Sequence, residues 1–447
     1  MSWSERTAAE KRMLLGMQRC SFEYFWQEAN EANGLVLDKT ADDWPGSIAA
    51  VGMALTIYPI GVERGFITRA QAVARTLTTL RFFMQSEQSR SPTATGYKGF
   101  YYHFLDMQTG GRARGCELSS IDTALFIAGV LTARAYFRGE GPDERELRAL
   151  ADAMYARVDW AWMQARDGSV RHGWQPERGF LRYRWRGYDE ASILYLFGLG
   201  SPTHPLRDGA YEAWSAPYAW TTVEGITYLH AGPLFIHQMS HTWVDFRGVR
   251  DAFMRAHDSD YFENSRRGVQ VQQRYAMRNP KALAMYGEHC WGVTASDGPG
   301  TKARGQKIGD RTYYDYTARG VPDGPDDGTL APWAVAASLP FAPEIVMPTI
   351  EYFHRIDLHT HNRYGFKASF NPTVPCGSGH PAGWVSPFHF GIDEGPTVIM
   401  IENYRSEMIW RLTRDCPYLR KGLRRAGFEG GWLEAAVEPS TQPMVST

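Results

Sequence analysis

The sequence has few cysteines and no long uncharged apolar run. Its five cysteines are widely spaced among 447 residues, and none forms a CxxC pair. Neither a disulfide framework nor a cysteine-based zinc site is therefore indicated. No window reaches the ~18 apolar residues of a membrane span, so we expect no membrane insertion. The N-terminal stretch lacks the apolar region of a secretory signal, which predicts a cytoplasmic location, or a periplasmic one if a leader has been removed.

An excess of charge of one sign is also missing. Lys and Arg total 48 against 49 Asp and Glu, with a pI near 6.9. The chain thus has no electrostatic reason to bind a polyanion, and nucleic acid is not expected as a partner. The loops GxGxxG, GxxxxGK[ST] and GxSxG are absent, which argues against nucleotide binding and serine-hydrolase chemistry. Without a repeat or linker, residues 1–447 are expected to form a single domain.

Apolar residues recur at three- and four-residue spacing through most of the chain, a pattern typical of amphipathic helices. It predicts helices at 5–29, 47–64, 68–88, 117–137 and 143–165, and shorter ones at about 189–199, 206–215, 230–244, 249–277, 331–339, 343–356 and 395–413. A dozen helices with short connectors pack as antiparallel hairpins, which predicts an all-α protein with an inner and an outer ring of helices. Two longer stretches, 294–329 and 362–396, are expected to carry function.

Two acids stand directly before the apolar run ASILYLFGLG, namely Asp189 and Glu190. They are interpretable as stabilising carboxylates at a helix start, or Glu190 is a catalytic acid at the mouth of a cleft. Asp393, in FGIDEGP, precedes another buried helix in the same way. Glycoside hydrolysis requires such a pair. We expect burial to keep Glu190 protonated and a polar glycine-rich loop to leave Asp393 ionised.

Other polar side chains allow competing interpretations. His237, His241 and Asp245 are four residues apart, a spacing that could place a metal on one helical face. The glutamate of HExxH is absent, so a packed polar helix or hydrogen bonding to sugar is favoured, and no metal or cofactor is predicted. The aromatic content of 13%, with 15 Trp and 23 Tyr, fits core packing and also fits platforms for sugar rings.

Several long motifs resemble the glycoamylase-like domain of glycoside hydrolase family 144, the endo-β-1,2-glucanases. They run in order between Gly99 and Trp410: GFYYHFLDMQTGGR, ELSSIDTALFIAG, YDEASILYLFGLGSPTHP, AGPLFIHQMSHTWVDFRG, YGEHCWGVTASDGPG and FGIDEGPTVIMIENYRS. The resemblance implies an (α/α)6 toroid that hydrolyses β-1,2-glucan with inversion and without a cofactor. It also implies that Glu190 is the general acid and that Asp393 is the base acting on water.

The resemblance places further acids around the sugar, at Asp106, Glu117 and Asp122, although a salt-bridged helix start explains these acids equally well. We also expect substrate contacts from side chains of the motifs and of the second long stretch: Tyr188, His204, His237, His241, Trp243, Arg247, His289, Trp291 and Trp384. Alternatives are a transglycosylase, an exo-acting enzyme that releases sophorose, and, from other classes, a carbohydrate-binding protein or a lyase. Neither the oligomeric state nor the choice between endo and exo action follows from the sequence.

Overall fold

The computed structural model describes residues 2–376 and 379–435, and helices dominate this part of the chain. The α-helices in chain order are α1 (Ala8–Gln27), α2 (Ile48–Glu63), α3 (Arg69–Gln85), α4 (Ser120–Tyr136), α5 (Pro142–Arg157), α6 (Trp160–Met163), α7 (Ser192–Gly200), α8 (Ala210–Ser215), α9 (Ala252–Ala256), α10 (Tyr261–Arg278), α11 (Pro332–Ala337), α12 (Pro343–Arg355), α13 (Gly391–Ser406), α14 (Met408–Arg414) and α15 (Pro417–Arg425). Short 3-10 helices span Leu234–His237, Met239–Thr242 and Gly431–Leu433.

The helices form an inner and an outer ring, as the predicted (α/α)6 toroid requires. Helices α2, α4, α7, α11 and α13 are buried on nearly all sides, which is typical of central helices. The 3-10 pair at 234–242 fills the sixth inner position. Helices α1, α3, α5, α10, α12 and α15 pack outside them and bury one face. The predicted fold class is therefore confirmed.

The inner ring closes in chain order. Helix α2 packs on α4, α4 on α7, α11 on α13 and α13 back on α2. The 3-10 pair is held on both sides, because the Ile193 amide donates to Ser240 Oγ at 3.2 Å and Gln238 Nε2 donates to the Ala334 carbonyl at 2.6 Å. Helices α7 and α13 are thus three steps apart in either direction and lie on opposite sides of the ring.

Glycines bring α2 and α4 into close contact. A Cβ added at Gly129 would lie 2.0 Å from the Gly52 carbonyl oxygen, and one added at Gly52 would lie 2.4 Å from the Leu125 carbonyl oxygen. Real Cβ atoms do not approach backbone oxygens so closely, so only glycine permits this spacing. Helices α2 and α4, which both line the cleft described below, are thereby held a short distance apart.

Short antiparallel strand pairs cluster around the starts of several inner helices. The strands are β1 (Gly46–Ser47), β2 (Gly96–Tyr97), β3 (Phe100–Tyr101), β4 (Phe104–Leu105), β5 (Leu118–Ser119), β6 (Val170–Arg171), β7 (Gly173–Gln175), β8 (Gly179–Phe180), β9 (Arg184–Trp185), β10 (Trp220–Val223), β11 (Ile226–Leu229), β12 (Ala295–Ser296), β13 (Gln306–Ile308), β14 (Arg311–Tyr313), β15 (Thr317–Ala318), β16 (Phe370–Asn371) and β17 (Trp384–Val385). Strand β1 pairs with β4 and leads into α2, while β5 pairs with β7 and leads into α4. These pairs fix where the inner helices begin.

Several predicted helices are interrupted. The predicted 230–244 helix consists of two 3-10 turns, and the predicted 249–277 helix divides into α9 and α10 around Asp258, whose φ of 46° breaks the helical backbone. The predicted 395–413 helix starts earlier, at Gly391, and breaks at Glu407, whose φ is 55°. Helix α15 was not predicted. Among the described residues, none of the helices combines the length and apolar character needed to cross a bilayer.

Candidate active site

A cleft of about 550 Å³ lies at the end of the toroid where the inner helices begin. Four of the predicted acids line it: Glu117, Asp122, Glu190 and Asp393. Glu117 and Asp122 flank the start of α4, Glu190 lies two residues before α7, and Asp393 lies in the first turn of α13. Because α7 and α13 are opposite in the ring, the acids enter the cleft from separate sides.

The two adjacent acids before α7 have different partners. Asp189 Oδ1 accepts hydrogen bonds from the Ala191 amide at 3.0 Å and from Trp214 Nε1 at 2.9 Å. Asp189 therefore stabilises the helix start, as the structural interpretation of the sequence expects. Glu190 lines the cleft, and its backbone carbonyl accepts from Ser240 Oγ at 3.2 Å. Asp189 thus fits the structural interpretation, while Glu190 has the position in a cleft that the catalytic interpretation requires.

Burial controls the protonation of Glu190. Loss of solvent, then the negative charge of Asp189 and, more weakly, that of Asp122, raise the pKa of Glu190 to about 8. A carboxyl with such a pKa carries a proton at neutral pH, which is the state that a general acid needs. The expectation that burial keeps this group protonated agrees with its surroundings.

The surroundings of Asp393 differ from the polar loop expected from the sequence. Asp393 is inside helix α13, its exposed fraction is 3%, and its Oδ2 has no hydrogen-bond partner among the described residues. Burial, followed by the charges of Asp297, Glu394 and Asp38, raises the pKa of Asp393 well above its ordinary value. Asp393 thus lacks the polar surroundings expected from the sequence, and burial, followed by the neighbouring acids, opposes the ionisation that we predicted.

A histidine that the sequence analysis missed stands between two of the acids. His103 Nδ1 lies 3.2 Å from Glu117 Oε1, and its Nε2 lies 3.7 Å from Asp122 Oδ2. Burial opposes its charge, but the negative charge of Asp122 and Glu117 raises the pKa of His103 to about 9. For Glu117, burial alone would raise the pKa. The hydrogen bond and the charge of His103 outweigh burial, so the pKa of Glu117 is lowered. The cleft thus holds an imidazolium paired with carboxylates.

Aromatic side chains and one lysine complete the cleft. Trp44, Trp185, Tyr316 and Phe390 line it, and the Tyr316 ring is 45% exposed. Lys39 Nζ lies 3.8 Å from the centroid of the Trp44 ring, whose Nε1 donates to Asp38 Oδ2 at 2.9 Å. Flat faces beside carboxylates are suited to sugar rings, which are apolar on their faces and carry hydroxyls at their edges.

The structure does not bring the remaining predicted substrate-binding residues to this cleft. Their side chains lie in the core, in ion pairs or on other surfaces: Asp106, Tyr188, His204, His237, His241, Trp243, Arg247, His289, Trp291 and Trp384. Asp106, for example, accepts hydrogen bonds from the Gln108 and Thr109 amides and shapes a turn beside a neighbouring depression. We correct the expectation of direct sugar contact for the fully buried rings of Trp243 and Trp291, each 0% exposed.

The histidine face predicted from the sequence is divided among separate partners. His237 and His241 lie on different 3-10 turns, and His241 Nε2 pairs with Ser265 Oγ at 3.0 Å. Asp245 instead forms an ion pair with Arg247, with 2.8 Å between its Oδ1 and Arg247 Nε. Within residues 2–376 and 379–435, no three His, Cys, Asp or Glu side chains form a metal-ligand group. These residues support packing around the 3-10 pair.

Comparison with known proteins places the chain in a family. The family model described as "Putative glucoamylase", named Glycoamylase, matches residues 182–417. A curated relative, the exo beta-1,2-glucooligosaccharide sophorohydrolase (non-reducing end) of Parabacteroides distasonis, is 28% identical over 93% of this chain. The chain spans only 58% of that relative's length.

Two solved structures show the same fold. A putative glucoamylase from Bacteroides uniformis is 29% identical, with a TM-score of 0.84 over 96% of this chain and 100% of its own. A beta-1,2-glucanase from Parabacteroides distasonis is 26% identical, with a TM-score of 0.80 over 94% of this chain and 60% of its own. Since the family model covers more than half of the chain, the protein belongs to the Glycoamylase family.

Proposed function

We propose that this protein is a glycoside hydrolase that cleaves β-1,2-linked glucan with inversion of the anomeric carbon. The observation that carries the proposal is the placement of Glu190 and Asp393 in one cleft, at the starts of opposite inner helices. In an inverting enzyme one carboxyl protonates the leaving oxygen, while the other activates water on the opposite face of the sugar. Carboxyls on opposite sides leave room for the sugar and water between them.

Glu190 is the general acid in this proposal. Its raised pKa supports a protonated carboxyl, which gives its proton to the glycosidic oxygen as the bond to C1 breaks. Asp189 helps in two ways, because its hydrogen bonds fix the helix start and its charge disfavours ionisation of Glu190. Loss of the proton from Glu190 leaves no donor for the departing sugar.

Asp393 is the general base. The attacking water gives a proton toward Asp393 as its oxygen bonds to C1, so the newly released end has the α configuration. The raised pKa of Asp393 makes it a strong base once ionised, but it also limits the ionised fraction in the empty cleft. Turnover therefore requires the form of the enzyme in which Asp393 is ionised when the substrate is bound.

The substrate class rests on the relatives and on the chemistry of the cleft. Two relatives, the sophorohydrolase and the beta-1,2-glucanase from Parabacteroides distasonis, bear names that specify β-1,2-linked glucose. The cleft offers aromatic faces together with the charge-paired group Glu117, His103 and Asp122, and such groups bind neutral sugar hydroxyls. The name of the sophorohydrolase, matched over 93% of this chain, favours exo release of sophorose as a second candidate mode.

The test is a substrate panel with product analysis. Purified protein is incubated with linear β-1,2-glucan, β-1,3-glucan, β-1,4-glucan and starch, and the released sugars are separated by chromatography. We expect release from β-1,2-glucan alone. Sophorose as the first product indicates exo action, whereas a ladder of oligosaccharides indicates endo action. Longer products than the starting chains would indicate transglycosylation, and binding without release would indicate a carbohydrate-binding protein. Release from starch alone would contradict the β-1,2 assignment.

A further inference from the structure

A second cavity, called the rear cavity below, shares Asp393 with the catalytic cleft. It measures about 260 Å³ and is lined by one face of α1, by residues 354–368 and by the start of α13. Two side chains, Trp333 and Asp393, line both this rear cavity and the cleft. The proposed general base therefore stands in a thin partition between two spaces, of which only one takes the sugar.

The rear cavity is large enough to hold water, and the larger part of its lining surface is apolar. Four buried side-chain atoms of its lining residues have no hydrogen-bond partner in the described chain: Trp333 Nε1, His354 Nε2, His359 Nδ1 and Asp393 Oδ2. Each of these atoms has less than 1 Å² of accessible surface, so it meets water in the cavity only after its side chain rotates. The cavity is many times larger than the ~15 Å³ that one water requires on this measure.

The cavity reaches the outer surface of the toroid. Arg12 and Gly16 line it from α1, and both are exposed to solvent. Glu394 lines its inner end, and Glu394 Oε1 lies 2.7 Å from His389 Nδ1, so a buried pair of ionisable groups adjoins Asp393. The lining thus includes polar residues both at the exposed α1 side and beside Asp393.

We propose that the rear cavity is a water-filled route through which the proton that Asp393 accepts in each turnover leaves for bulk solvent. This inference rests on the proposed function. The oxygen of the attacking water bonds to C1 while its proton goes to Asp393, and Glu190 gives its proton to the leaving oxygen. To reset, Asp393 must lose a proton and Glu190 must gain one, so hydrolysis consumes one water and no net proton.

A route through the rear cavity lets the proton leave Asp393 while sugar occupies the cleft. Bound glucan or product excludes bulk water from the cleft side of Asp393, whereas the rear cavity stays in contact with solvent near Gly16. Burial and neighbouring acids raise the pKa of Asp393, so its proton leaves slowly unless water is in contact with the carboxyl. The rear cavity supplies that contact without requiring the sugar to move.

The test fills the cavity from the surface. A Cβ added at Gly16 meets no atom within 4 Å, so the Cβ of Gly16→Phe causes no clash. Gly16→Ala, which adds the Cβ without the ring, is the matched control. Cys20→Leu, one turn further along α1 on the same lining face, is a second filling variant. Crystal structures identify the variants in which the new side chain occupies the cavity, and thermal unfolding checks that they are folded.

We expect an ordered chain of water in the wild-type crystal structure, and a fall in kcat of at least tenfold in the filled variants with KM within twofold of the wild type. The solvent deuterium isotope effect on kcat should increase in the filled variants and stay unchanged in Gly16→Ala. A dry wild-type cavity, or wild-type kcat in a variant whose cavity is filled, would overturn the route. A wild type that releases no sugar would overturn the proposed function instead, and the hydration of the cavity would still be read from its crystal structure.

Discussion

Asp189 and Glu190 are adjacent in the chain but serve different purposes: Asp189 accepts hydrogen bonds from the Ala191 amide and Trp214 Nε1, while Glu190 lines the cleft. In the proposed function the pair therefore separates two tasks, since Asp189 supports the helix start and Glu190 acts as the acid. Asp189→Ala leaves the buried Trp214 donor unpaired, which we expect to lower the free energy of unfolding by about 1–3 kcal/mol. Urea unfolding measures this loss.

Glu190→Gln should keep the stability of the protein and remove its activity. The change keeps the shape of the side chain and removes a buried ionisable group, so we expect the free energy of unfolding to be unchanged or raised. Turnover should fall by about 10²–10⁴-fold, the usual contribution of a general acid. An active Glu190→Gln protein beside an inactive but stable Asp189→Ala protein would reverse the assignment of the two residues.

The pH dependence of activity follows from the protonation of Glu190. Since its pKa is raised to about 8, the acid is protonated below that pH, and kcat/KM should fall about tenfold per pH unit above it. Stability should change in a related way. The folded state holds the proton more tightly than the unfolded state, so the free energy of unfolding decreases as pH rises from the ordinary carboxyl pKa toward 8. Glu190→Gln should reduce this decrease, while Asp189 and Asp393, whose pKa values are also raised, keep their share of it; denaturant titrations at several pH values would detect the difference.

His103 should stabilise the folded protein through its charge. Its folded pKa of about 9 exceeds the ordinary value of 6.5, so this contribution is complete below about pH 6.5 and is lost as pH rises through 9. His103→Gln should therefore cost more stability at pH 6 than at pH 9.5. We also expect kcat/KM to fall by about 5- to 150-fold, the equivalent of about 1–3 kcal/mol, because Glu117 and Asp122 lose their shared partner. An equal stability loss at both pH values would contradict the charged state of His103.

Gly129 should tolerate no side chain. In Gly129→Ala the new Cβ would clash with the Gly52 carbonyl oxygen and force α2 and α4 apart, at a cost of about 1–3 kcal/mol or more. Gly16→Ala is the control, since its Cβ meets no atom within 4 Å and alanine favours a helix by roughly 0.5–1 kcal/mol over glycine. Thermal unfolding should move in opposite directions for the two variants. Similar melting temperatures would show that the helices can separate without cost.

The ring of helices could be predicted from the sequence because its signals are local. The segment that forms α7, for example, is apolar on every side, and a helix of this kind must be central. Glu190 and Asp393 were found for the same reason, since each acid precedes or starts such a helix. The broken helices could not be predicted, because the spacing of apolar residues carries no signal for the left-handed backbone at Asp258 and Glu407.

The rest of the site depends on residues that meet only in the folded chain. His103 comes from a short irregular segment beside β4, and nothing in its sequence neighbourhood predicts the carboxylates of Glu117 and Asp122 on either side. His237 and His241 were misplaced because helical spacing was assumed where the chain forms 3-10 turns. The sequence did not reveal the burial of Asp393, nor that Asp297, 96 residues earlier in the sequence, lies close enough to add to the rise in its pKa.

The most direct test of the account is the anomeric configuration of the newly formed reducing ends. Linear β-1,2-glucan is treated with the wild type, with Glu190→Gln and with Asp393→Asn, and the reaction is followed by proton NMR before mutarotation is complete. Inverting hydrolysis with Glu190 as acid and Asp393 as base predicts α-configured ends from the wild type and a loss of release in both variants. Release of β-configured ends, or undiminished release by Glu190→Gln, would contradict it.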